Sequence, residues 1–428
     1  MPMTAQEQRI VSVAEELSEQ MLDFACRLLA QPSTLGNEIG ALEVVEQEFR
    51  QLGLSPERVA IDSPAAVNHP GHASTPWEAA GRYNLVATRQ PVSTATGVVG
   101  RSALFNGHLD VVSPEPLALW NRDPFSPLVQ DGWLYGRGAG DMKGGVAAMT
   151  YAVQAINAAG FALCGPVTLE TVIEEECSGN GALACRAAGH DADAVLIPEP
   201  FGPTILTAQL GVLWFKVEVA GAPSHVLNTS AGANAIEKCW PLITALRGLE
   251  KELNEQDVPS AYRGIAHPIN LNIGMVRGGD WPSTVPAAAE FHARLAFFPG
   301  VEYESVCRRI AAVIEAAAKS DAWLAANPPS VSFYGFRSQG HALSRDLPAL
   351  QTLNGCHHSL QGSEAASYIA CCTTDLRAFV HYGQGQATCY GPVAEAIHAA
   401  NERVLVSSLV DTTKTYALFL ARWCGLSE

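Results

Sequence analysis

The sequence predicts an α/β protein, with helices on both faces of a mixed sheet, that is interrupted by a smaller α+β domain. Three observations lead to this fold class. The chain has 428 residues, a length that favours two domains over one. Short apolar runs alternate with helical patterns up to about residue 205 and again after residue 338, which is typical of a sheet covered on both faces. Between these segments, longer runs of alternating polarity indicate antiparallel strands.

The elements of the first segment follow from hydrophobic periodicity and end signals. Helices are predicted over 7–31 and 40–53. A glycine-rich loop, LYGRGAGDMKGG, then leads into a helix that Gly160 ends. In chain order, the predicted elements after residue 96 are the strand GVVGRSALFNGHLDVV, the helix VAAMTYAVQAINAAG, the strand GPVTLETVI, the short helix CSGNGALACRAAG and the strand DAVLIPEP.

The interrupting segment reads as a β-β-α-β-β-α-β arrangement, which is typical of a ferredoxin-like α+β unit. It begins with ILTAQLGVLWFKVEVAG, interpreted as a strand pair, and ends with the strand SVSFYGF. The α/β pattern then resumes with SYIACCTTDLRAF and ATCYGP and closes with the helix VDTTKTYALFLARWC. We therefore expect one domain in two parts, 1–206 and 338–428, and an insert domain over 207–337.

Composition excludes several classes of function. The net charge is −16 and there is no run of Lys or Arg, so a nucleic-acid partner is not expected. The N-terminus lacks the pattern of a signal peptide, and no window of about 18 apolar residues predicts a membrane span. The eleven cysteines form no CxxC pair and are odd in number, which indicates reduced thiols and a cytoplasmic protein.

Polar residues follow the apolar strands of the α/β part at their carboxyl ends. Ligands of open α/β sheets bind at this edge, so these side chains are expected to converge. Each signal alone is weak, because His-x-Asp occurs by chance and a Glu triplet is usually a solvated surface. Together, imidazole and carboxylate groups favour Zn²⁺, Mn²⁺ or Co²⁺ over Mg²⁺, and their number indicates more than one ion. The residues concerned are Asn106, His108, Asp110, Asp141, Glu175, Glu176 and Glu199.

From about residue 100 to the C-terminus, the motifs resemble the M20 metallopeptidase and deacylase family. The first is FNGHLDVV, followed by DPFSPLVQDGWLYGRGAGDMKGGVAAM. The resemblance continues through IEEECSGNGA, LIPEP, SHVLNTSAGANAIEK, TTDLRAF, YGP and IHAANERV. It implies a zinc-peptidase-like catalytic domain, an insert domain that serves in dimerisation and as a lid, and hydrolysis of a linear amide bond.

The resemblance also implies a set of metal ligands for two divalent ions, most often Zn²⁺, with Co²⁺ or Mn²⁺ as alternatives. One ion is expected on His108 and Glu199 and the other on Glu176 and His398, with Asp141 bridging them. The two ions lower the pKa of the attacking water toward neutrality.

Further roles near these ligands follow from the same resemblance. Glu175 is implied as the general base, which takes a proton from the water and passes it to the departing nitrogen. Asp110 is expected to orient the imidazole of His108, and Glu174 to help raise the pKa of Glu175. The family also has a cis peptide at the position of Asp141–Met142.

Further implied residues lie in the insert domain and in the last segment. His225 corresponds to a family histidine that reaches the partner subunit's site and stabilises the tetrahedral intermediate, which implies a homodimer through the insert domain. Asn272, Arg294 and Arg377 match positions that bind a substrate carboxylate, although structural ion pairs are an alternative for both arginines.

The substrate remains open at this point. The leading interpretation is removal of an acyl group from an N-acyl amino acid or a related amine. Alternatives are a dipeptidase or carboxypeptidase, hydrolysis of a formamide or carbamoyl C–N bond, and a binding homologue without activity. The chain departs from the family at Ser283, where Asn is common, and at Asn228, near which Pro is common. Both positions are expected to border the substrate, so a familiar acyl amino acid is not assured by the resemblance.

Overall fold

A computed structural model describes residues 2–92 and 100–427. The start of the predicted strand GVVGRSALFNGHLDVV, residues 97–99, lies outside the described residues. Twelve α-helices occur in the described residues: α1 Ala5–Glu16, α2 Ser18–Leu29, α3 Ile39–Gln51, α4 Pro64–Val67, α5 Gly144–Ala158, α6 Asn180–Ala187, α7 Ala235–Glu255, α8 Tyr303–Lys319, α9 Ala322–Ala326, α10 Pro348–Gln361, α11 Leu376–Tyr382 and α12 Val406–Cys424. The single helix predicted over 7–31 is therefore two helices, which meet at Leu17.

The same two ranges contain seventeen strands, which form four sheets. They are β1 Glu57–Ala60, β2 Tyr83–Arg89, β3 Ala103–His108, β4 Leu128–Gln130, β5 Trp133–Tyr135, β6 Val167–Val172, β7 Ala194–Ile197, β8 Ile205–Gln209, β9 Gly211–Ala220, β10 Leu271–Gly278, β11 Ala288–Phe297, β12 Ser330–Ser338, β13 His341–Ala342, β14 Ser367–Ala370, β15 Gln386–Cys389, β16 Ala394–Glu395 and β17 Arg403–Leu405.

The largest sheet has six strands in the order β1-β2-β6-β3-β7-β15 and is mixed, as predicted. Strands β6, β3, β7 and β15 are parallel, whereas β1 and β2 run antiparallel to their neighbours. Alternate residues of β3 enter different cores. Phe105 packs on Tyr416 of α12, and Leu104 joins a cluster that includes Phe379 of α11. Helices therefore cover both faces, and the carboxyl ends of the parallel strands stay open.

Helix α5 lies deep in the core, and its close approach to the sheet needs glycine. A Cβ atom on Gly145 would lie 2.5 Å from the carbonyl oxygen of Pro198. This contact brings the start of α5 against the end of β7. Asp141, just before α5, and Glu199, just after β7, are thereby placed at the same edge of the sheet.

The insert segment forms a four-stranded antiparallel sheet in the order β10-β11-β9-β12. With α7 and α8, the chain order is β-α-β-β-α-β, and the strand order is that of a ferredoxin-like unit. Buried residues of one sheet face pack against α7 and α8, for example Phe215 of β9 and Phe291 of β11. The opposite face of this sheet carries polar and aromatic side chains, for example Trp214 of β9.

One strand that was predicted for the insert segment belongs to a different sheet. The run ILTAQLGVLWFKVEVAG divides at Leu210, and its first half, β8, pairs with β13 and in parallel with β14. The insert therefore has one strand fewer at its start than the sequence predicted. The domain limits at 206/207 and 337/338 stay a prediction. Along the described part of the chain, helices of 18 or more residues are too polar to cross a membrane.

Candidate metal centre

His108 is the last residue of β3 and lies at the open edge of the large sheet. It is buried, with 1% of its surface exposed, and its Nδ1 lies 2.8 Å from the backbone carbonyl oxygen of Asp110. A carbonyl can only accept, so this contact requires the proton on Nδ1. Nε2 faces Asp141, whose Oδ1 is 3.0 Å away. An imidazole held in this way is prepared to bind a metal through Nε2.

Asp141 lies between two imidazoles. Its Oδ1 faces Nε2 of His108, and its Oδ2 is 3.3 Å from Nε2 of His398. His398 Nε2 is also 3.0 Å from Oε1 of Glu176. The peptide bond between Asp141 and Met142 is cis, as the resemblance implied. Each oxygen of one carboxylate thus belongs to a different cluster of donor atoms.

The donor atoms form two groups that share Asp141. One contains His108, Asp141 and Glu199, and the other contains Asp141, Glu176 and His398. Within each group, the ligand atoms lie within 4.8 Å of one another. Mixed imidazole and carboxylate donors suit Zn²⁺, Co²⁺ or Mn²⁺. The residues present therefore fit two divalent ions that share one carboxylate.

The charges of the cluster also fit cations. Burial raises the pKa of Glu175 and of Glu199 well above the usual range, and neighbouring carboxylates, including Asp375, raise them further. Burial alone would lower the pKa of His108, but the hydrogen bond and the charge of Asp141 hold it well above normal. Several carboxylates thus share a buried site with two imidazoles, and divalent cations would offset that negative charge.

The turn after β6 positions Glu175 and Glu176. The carboxylate of Asp110 accepts hydrogen bonds from the backbone N–H of Glu175, at 3.2 Å, and of Glu176, at 3.1 Å. Asp110 therefore orients His108 through its backbone carbonyl, while its side chain holds the turn. The carboxylate of Glu175 forms no hydrogen bond with the described residues and is free to accept a proton.

Glu174 does not take the place expected for it. Its φ of 69° turns the side chain toward Trp77, whose Nε1 donates to Oε1 at 2.9 Å, and toward Arg82, which forms an ion pair with the same oxygen. Its charge is therefore balanced locally. The pKa of Glu175 is raised mainly by burial, then by Asp375, Glu199 and Glu176.

Comparisons with known proteins identify the family of this chain. A sequence model described as peptidase family M20/M25/M40 matches residues 104–422, about three quarters of the chain. This chain belongs to peptidase family M20/M25/M40. It is a hydrolase that acts on amide C–N bonds, and the family is metal-dependent.

Curated relatives differ in the acyl group that they release. The chain is 28% identical over 348 residues to an N-formyl-4-amino-5-aminomethyl-2-methylpyrimidine deformylase of Halalkalibacterium halodurans, covering 77% of this chain and 80% of that protein. It is 27% identical over 414 residues to a succinyl-diaminopimelate desuccinylase of Methylobacillus flagellatus, covering 93% and 98%. The solved structure of the dipeptidase Dug1p from Saccharomyces cerevisiae matches with a TM-score of 0.78 at 14% identity, covering 99% of each chain, which confirms the fold.

In this M20 chain, a residue that the sequence analysis missed holds the loop of Asp141. Glu402 is fully buried and accepts hydrogen bonds from Gly138 and Gly140 at 2.9 Å and from Asp141 at 3.0 Å, all through backbone N–H groups. Arg137 Nη1 adds an ion pair at 2.6 Å. Glu402 stands within the motif IHAANERV, but nothing local in the sequence shows what it holds, because its partners lie some 260 residues earlier.

His225 is not part of the metal centre within one chain. It is exposed, and its Nδ1 accepts from the backbone N–H of Leu227 at 3.1 Å. Its backbone carbonyl accepts from the N–H of Asn228 at 2.9 Å, and the residue forms an antiparallel bridge with Thr284. Because Nδ1 is the acceptor, Nε2 carries the proton and is available to donate. The role implied for His225 stays a prediction.

Asn272 and Arg294 lie opposite each other on β10 and β11, on the sheet face that α7 and α8 leave uncovered. Arg294 forms no hydrogen bond and no ion pair with the described residues, and burial lowers its pKa. An arginine without a protein carboxylate is suited to bind a substrate carboxylate.

Arg377 has a different setting. It is buried, its Nη2 donates to the carbonyl oxygen of Ser178 at 2.7 Å, and its guanidinium lies over the ring of Phe336 at 5.0 Å. It thus supports the turn that carries Glu175 and Glu176. Direct binding of substrate by Arg377 stays a prediction and would have to use Nη1, which is buried without a partner.

Proposed function

We propose that this protein is a dinuclear metal-dependent amidohydrolase that removes an acyl group from an N-acyl amino acid or a related amine. The observation that carries the proposal is the position of Asp141. Its two oxygens face the Nε2 atoms of two histidines, and each histidine has a further carboxylate beside it. This arrangement is the donor set of two ions that share a bridging ligand.

The residues divide into ligands and a proton carrier. His108 and Glu199 would hold one ion, Glu176 and His398 the other, and Asp141 both. Bound Zn²⁺, Co²⁺ or Mn²⁺ supplies Lewis-acid activation of the amide carbonyl and lowers the pKa of water. Glu175 acts as the general base: its carboxylate takes the proton of the attacking water and gives it to the departing nitrogen. Its backbone is held by Asp110, and its side chain has no competing donor among the described residues.

His225 supplies the hydrogen bond that stabilises the developing oxyanion, and we propose that it acts in the site of a second copy of the chain. Support comes from the exposed apolar surface around it. Leu227 is 91% exposed and Trp281 is 68% exposed, and Met275 and Val276 are exposed on the edge strand β10. Apolar groups on an unpaired sheet edge are typical of an interface between subunits.

The proposed substrate class rests on the residues of the candidate site and on the curated relatives. Arg294, with Asn272 beside it, would bind a carboxylate on the amine part. Two curated relatives are named as a deformylase and a desuccinylase, so both release an acyl group from an amine, which favours a deacylase over a peptidase. Release of a formyl group is the second candidate, because the deformylase relative favours it. We also propose a cytoplasmic location, which the eleven free cysteines support.

An activity screen of the metal-loaded protein tests this function. N-formyl, N-acetyl and N-succinyl amino acids and amines are compared with dipeptides after loading with Zn²⁺, Co²⁺ or Mn²⁺, and released amine is measured. We expect turnover of one acyl class, about two ions per chain by elemental analysis, loss of activity with EDTA and recovery with metal. Turnover of dipeptides alone would contradict the deacylase proposal. One ion per chain at full activity would contradict the dinuclear centre.

A further inference from the structure

Residues of one row across the insert sheet share the face that the helices leave open. The register places Asn272 of β10 opposite Arg294 of β11, Arg294 opposite Trp214 of β9, and Trp214 opposite Tyr334 of β12. The neighbours of Trp214 in sequence, Leu213 and Phe215, belong to the buried core on the other face. The row therefore presents an amide, a guanidinium and two aromatic rings on one surface.

This row lies against the turn that carries the metal ligand Glu176. A Cβ atom on Gly335 would lie 2.8 Å both from the carbonyl oxygen of Cys177 and from Cε3 of Trp214. Cys177 directly follows Glu176, so the indole of Trp214 lies close to the turn that carries this residue.

A third ring extends the aromatic surface. Trp77 lies edge-on to Tyr334 with ring centroids 6.4 Å apart, and Tyr334 in turn lies edge-on to Trp214 at 5.9 Å. All three rings are half-buried, and Trp77 is tied to Glu174, one residue before the proposed base. We call Trp77, Trp214 and Tyr334 the aromatic wall.

The aromatic wall has a polar rim. The hydroxyl of Tyr334 is 2.6 Å from Nδ1 of His292, and Nε2 of His292 is 3.3 Å from Oε1 of Glu290. Aromatic side chains with a few polar groups at the edge are typical of ligand-binding sites. The nearby charges of Lys216 and Glu218 are paired with each other at 2.9 Å, so the rings are the distinctive feature of this part of the sheet.

We propose that the amine part of the substrate carries a planar aromatic or heteroaromatic ring, and that this ring packs on the aromatic wall while the amide lies at the metal centre. The proposal rests on the proposed function and names its substrate class. Aromatic ligands gain from edge-to-face and offset contacts that a saturated ring of the same size cannot make. His292 and the hydroxyl of Tyr334 can meet polar atoms on the ring. Arg294, in the same row, accommodates an anionic group beside the ring where the substrate has one.

A matched pair of amides tests the proposal. N-formylbenzylamine and N-formylcyclohexylmethylamine share the acyl group and the linker and differ in the planarity of the ring. We expect the metal-loaded protein to cleave the aromatic amide with a kcat/KM about 3- to 10-fold higher, the range that a single aromatic contact gives. Equal kcat/KM for the two amides would overturn the proposal.

Substitutions in the aromatic wall show whether the preference for the aromatic amide arises there. We expect Trp214→Leu to bring the ratio of the two kcat/KM values close to one and Trp214→Phe to keep part of it. Trp240→Leu is the matched control, because Trp240 is 53% exposed on α7, which packs on the opposite face of the sheet. If Trp214→Leu does not fold, Tyr334→Leu and Tyr334→Phe form the second pair. An unchanged preference in the folded leucine variants would overturn the proposal.

A binding measurement separates this proposal from the proposed function. If neither amide is cleaved, the proposed function fails for these substrates. Quenching of tryptophan fluorescence by benzylamine and by cyclohexylmethylamine then decides the ring proposal. Tighter binding of benzylamine that is lost in Trp214→Leu supports the aromatic wall as a ring site, and equal binding of the two amines overturns it.

Discussion

The large sheet and the insert domain hold their candidate site residues in different ways. On the side of the large sheet, buried hydrogen bonds within one chain fix the metal ligands: Asp110 holds His108 and the turn of Glu175, and Glu402 holds the loop of Asp141. On the side of the insert domain, His225 is exposed, and Arg294 has no partner among the described residues. The groups of the candidate centre are thus held in place within one chain, whereas His225 and Arg294 keep free hydrogen-bonding capacity, which we propose serves a second subunit and a substrate.

The largest effect on activity is expected for a residue of the buried candidate centre at the large sheet. Glu175→Gln keeps the size of the side chain but removes its ability to take a proton, so we expect kcat to fall about 10²- to 10⁴-fold. Metal content is expected to stay unchanged, because Glu175 belongs to neither ligand group. Steady-state kinetics and elemental analysis of the same preparation measure both quantities.

Glu176→Gln is the matched comparison for Glu175→Gln. It changes the neighbouring residue, which lies in a ligand group with Asp141 and His398, so we expect metal content to fall with activity. Retained activity in Glu175→Gln would remove the general-base role. Loss of metal in both variants would show that Glu175 is a ligand instead.

Glu402 tests whether the buried side depends on its hydrogen bonds. Glu402→Ala leaves Nη1 of Arg137 and three backbone N–H groups without the carboxylate that accepts from them. Removing one partner of such a buried pair costs about 3–5 kcal/mol, so we expect a lower free energy of unfolding and a lower Tm. Thermal unfolding of the metal-loaded protein measures the change.

The control for Glu402 is a glutamate of a nearby surface ion pair. Glu395 is half exposed and binds Arg403 of β17, and Glu395→Ala is expected to cost about 0–1 kcal/mol. An equal decrease of Tm in both variants would contradict a special role of Glu402 in holding the loop.

A substitution of His225 tests the contribution of the insert domain. We expect His225→Ala to lower kcat about 10²- to 10³-fold, the cost of losing one oxyanion donor, with little change in Tm or metal content. His267→Ala is the matched control, since His267 is an exposed histidine of the same insert segment whose ionic partner is Glu250.

Mixing variants shows whether subunits share a site. After subunit exchange, equal amounts of His225→Ala and Glu175→Gln should regain about one quarter of wild-type activity, because half of the dimers contain one complete site. No recovery, in a mixture shown to exchange subunits, would contradict a site built from two chains.

The fold and the metal centre could be predicted largely because their signals are local. His108 ends a buried strand and Glu176 and Glu199 each follow one, and parallel strands bring their carboxyl ends to one edge. The alternation of β9 likewise predicted a sheet with one buried face. His398 was identified by resemblance alone, since it lies in a loop with a φ of 60° and the strand before it, β16, has only two residues and was not predicted.

Other features depend on partners far away in the chain. Glu402 contacts Gly138 and Asp141 from more than 260 positions along the chain, and no periodicity reports such a contact. The pairing of β8 with β14, in which Ile205 lies opposite Ser367, also joins distant parts of the chain, so ILTAQLGVLWFKVEVAG read as a single strand pair. Glu174 was misjudged because the sequence does not show the positive φ that turns it toward Arg82.

The smallest effect is expected at Arg294 and depends on the substrate. Arg294→Met removes the guanidinium and keeps an apolar stem, so we expect KM for an N-acyl amino acid to rise about 10- to 100-fold, the worth of hydrogen bonds to a charged group. The corresponding amine without a carboxylate should show no change. Arg277→Met, on the same sheet face and 3.8 Å from Glu290, is the matched control and should leave both values unchanged. Since Arg294 has no ion pair with the described residues, Tm should not fall. A decrease of Tm with unchanged KM would instead assign Arg294 to the stability of the sheet, and the insert side would then lack its proposed anion site.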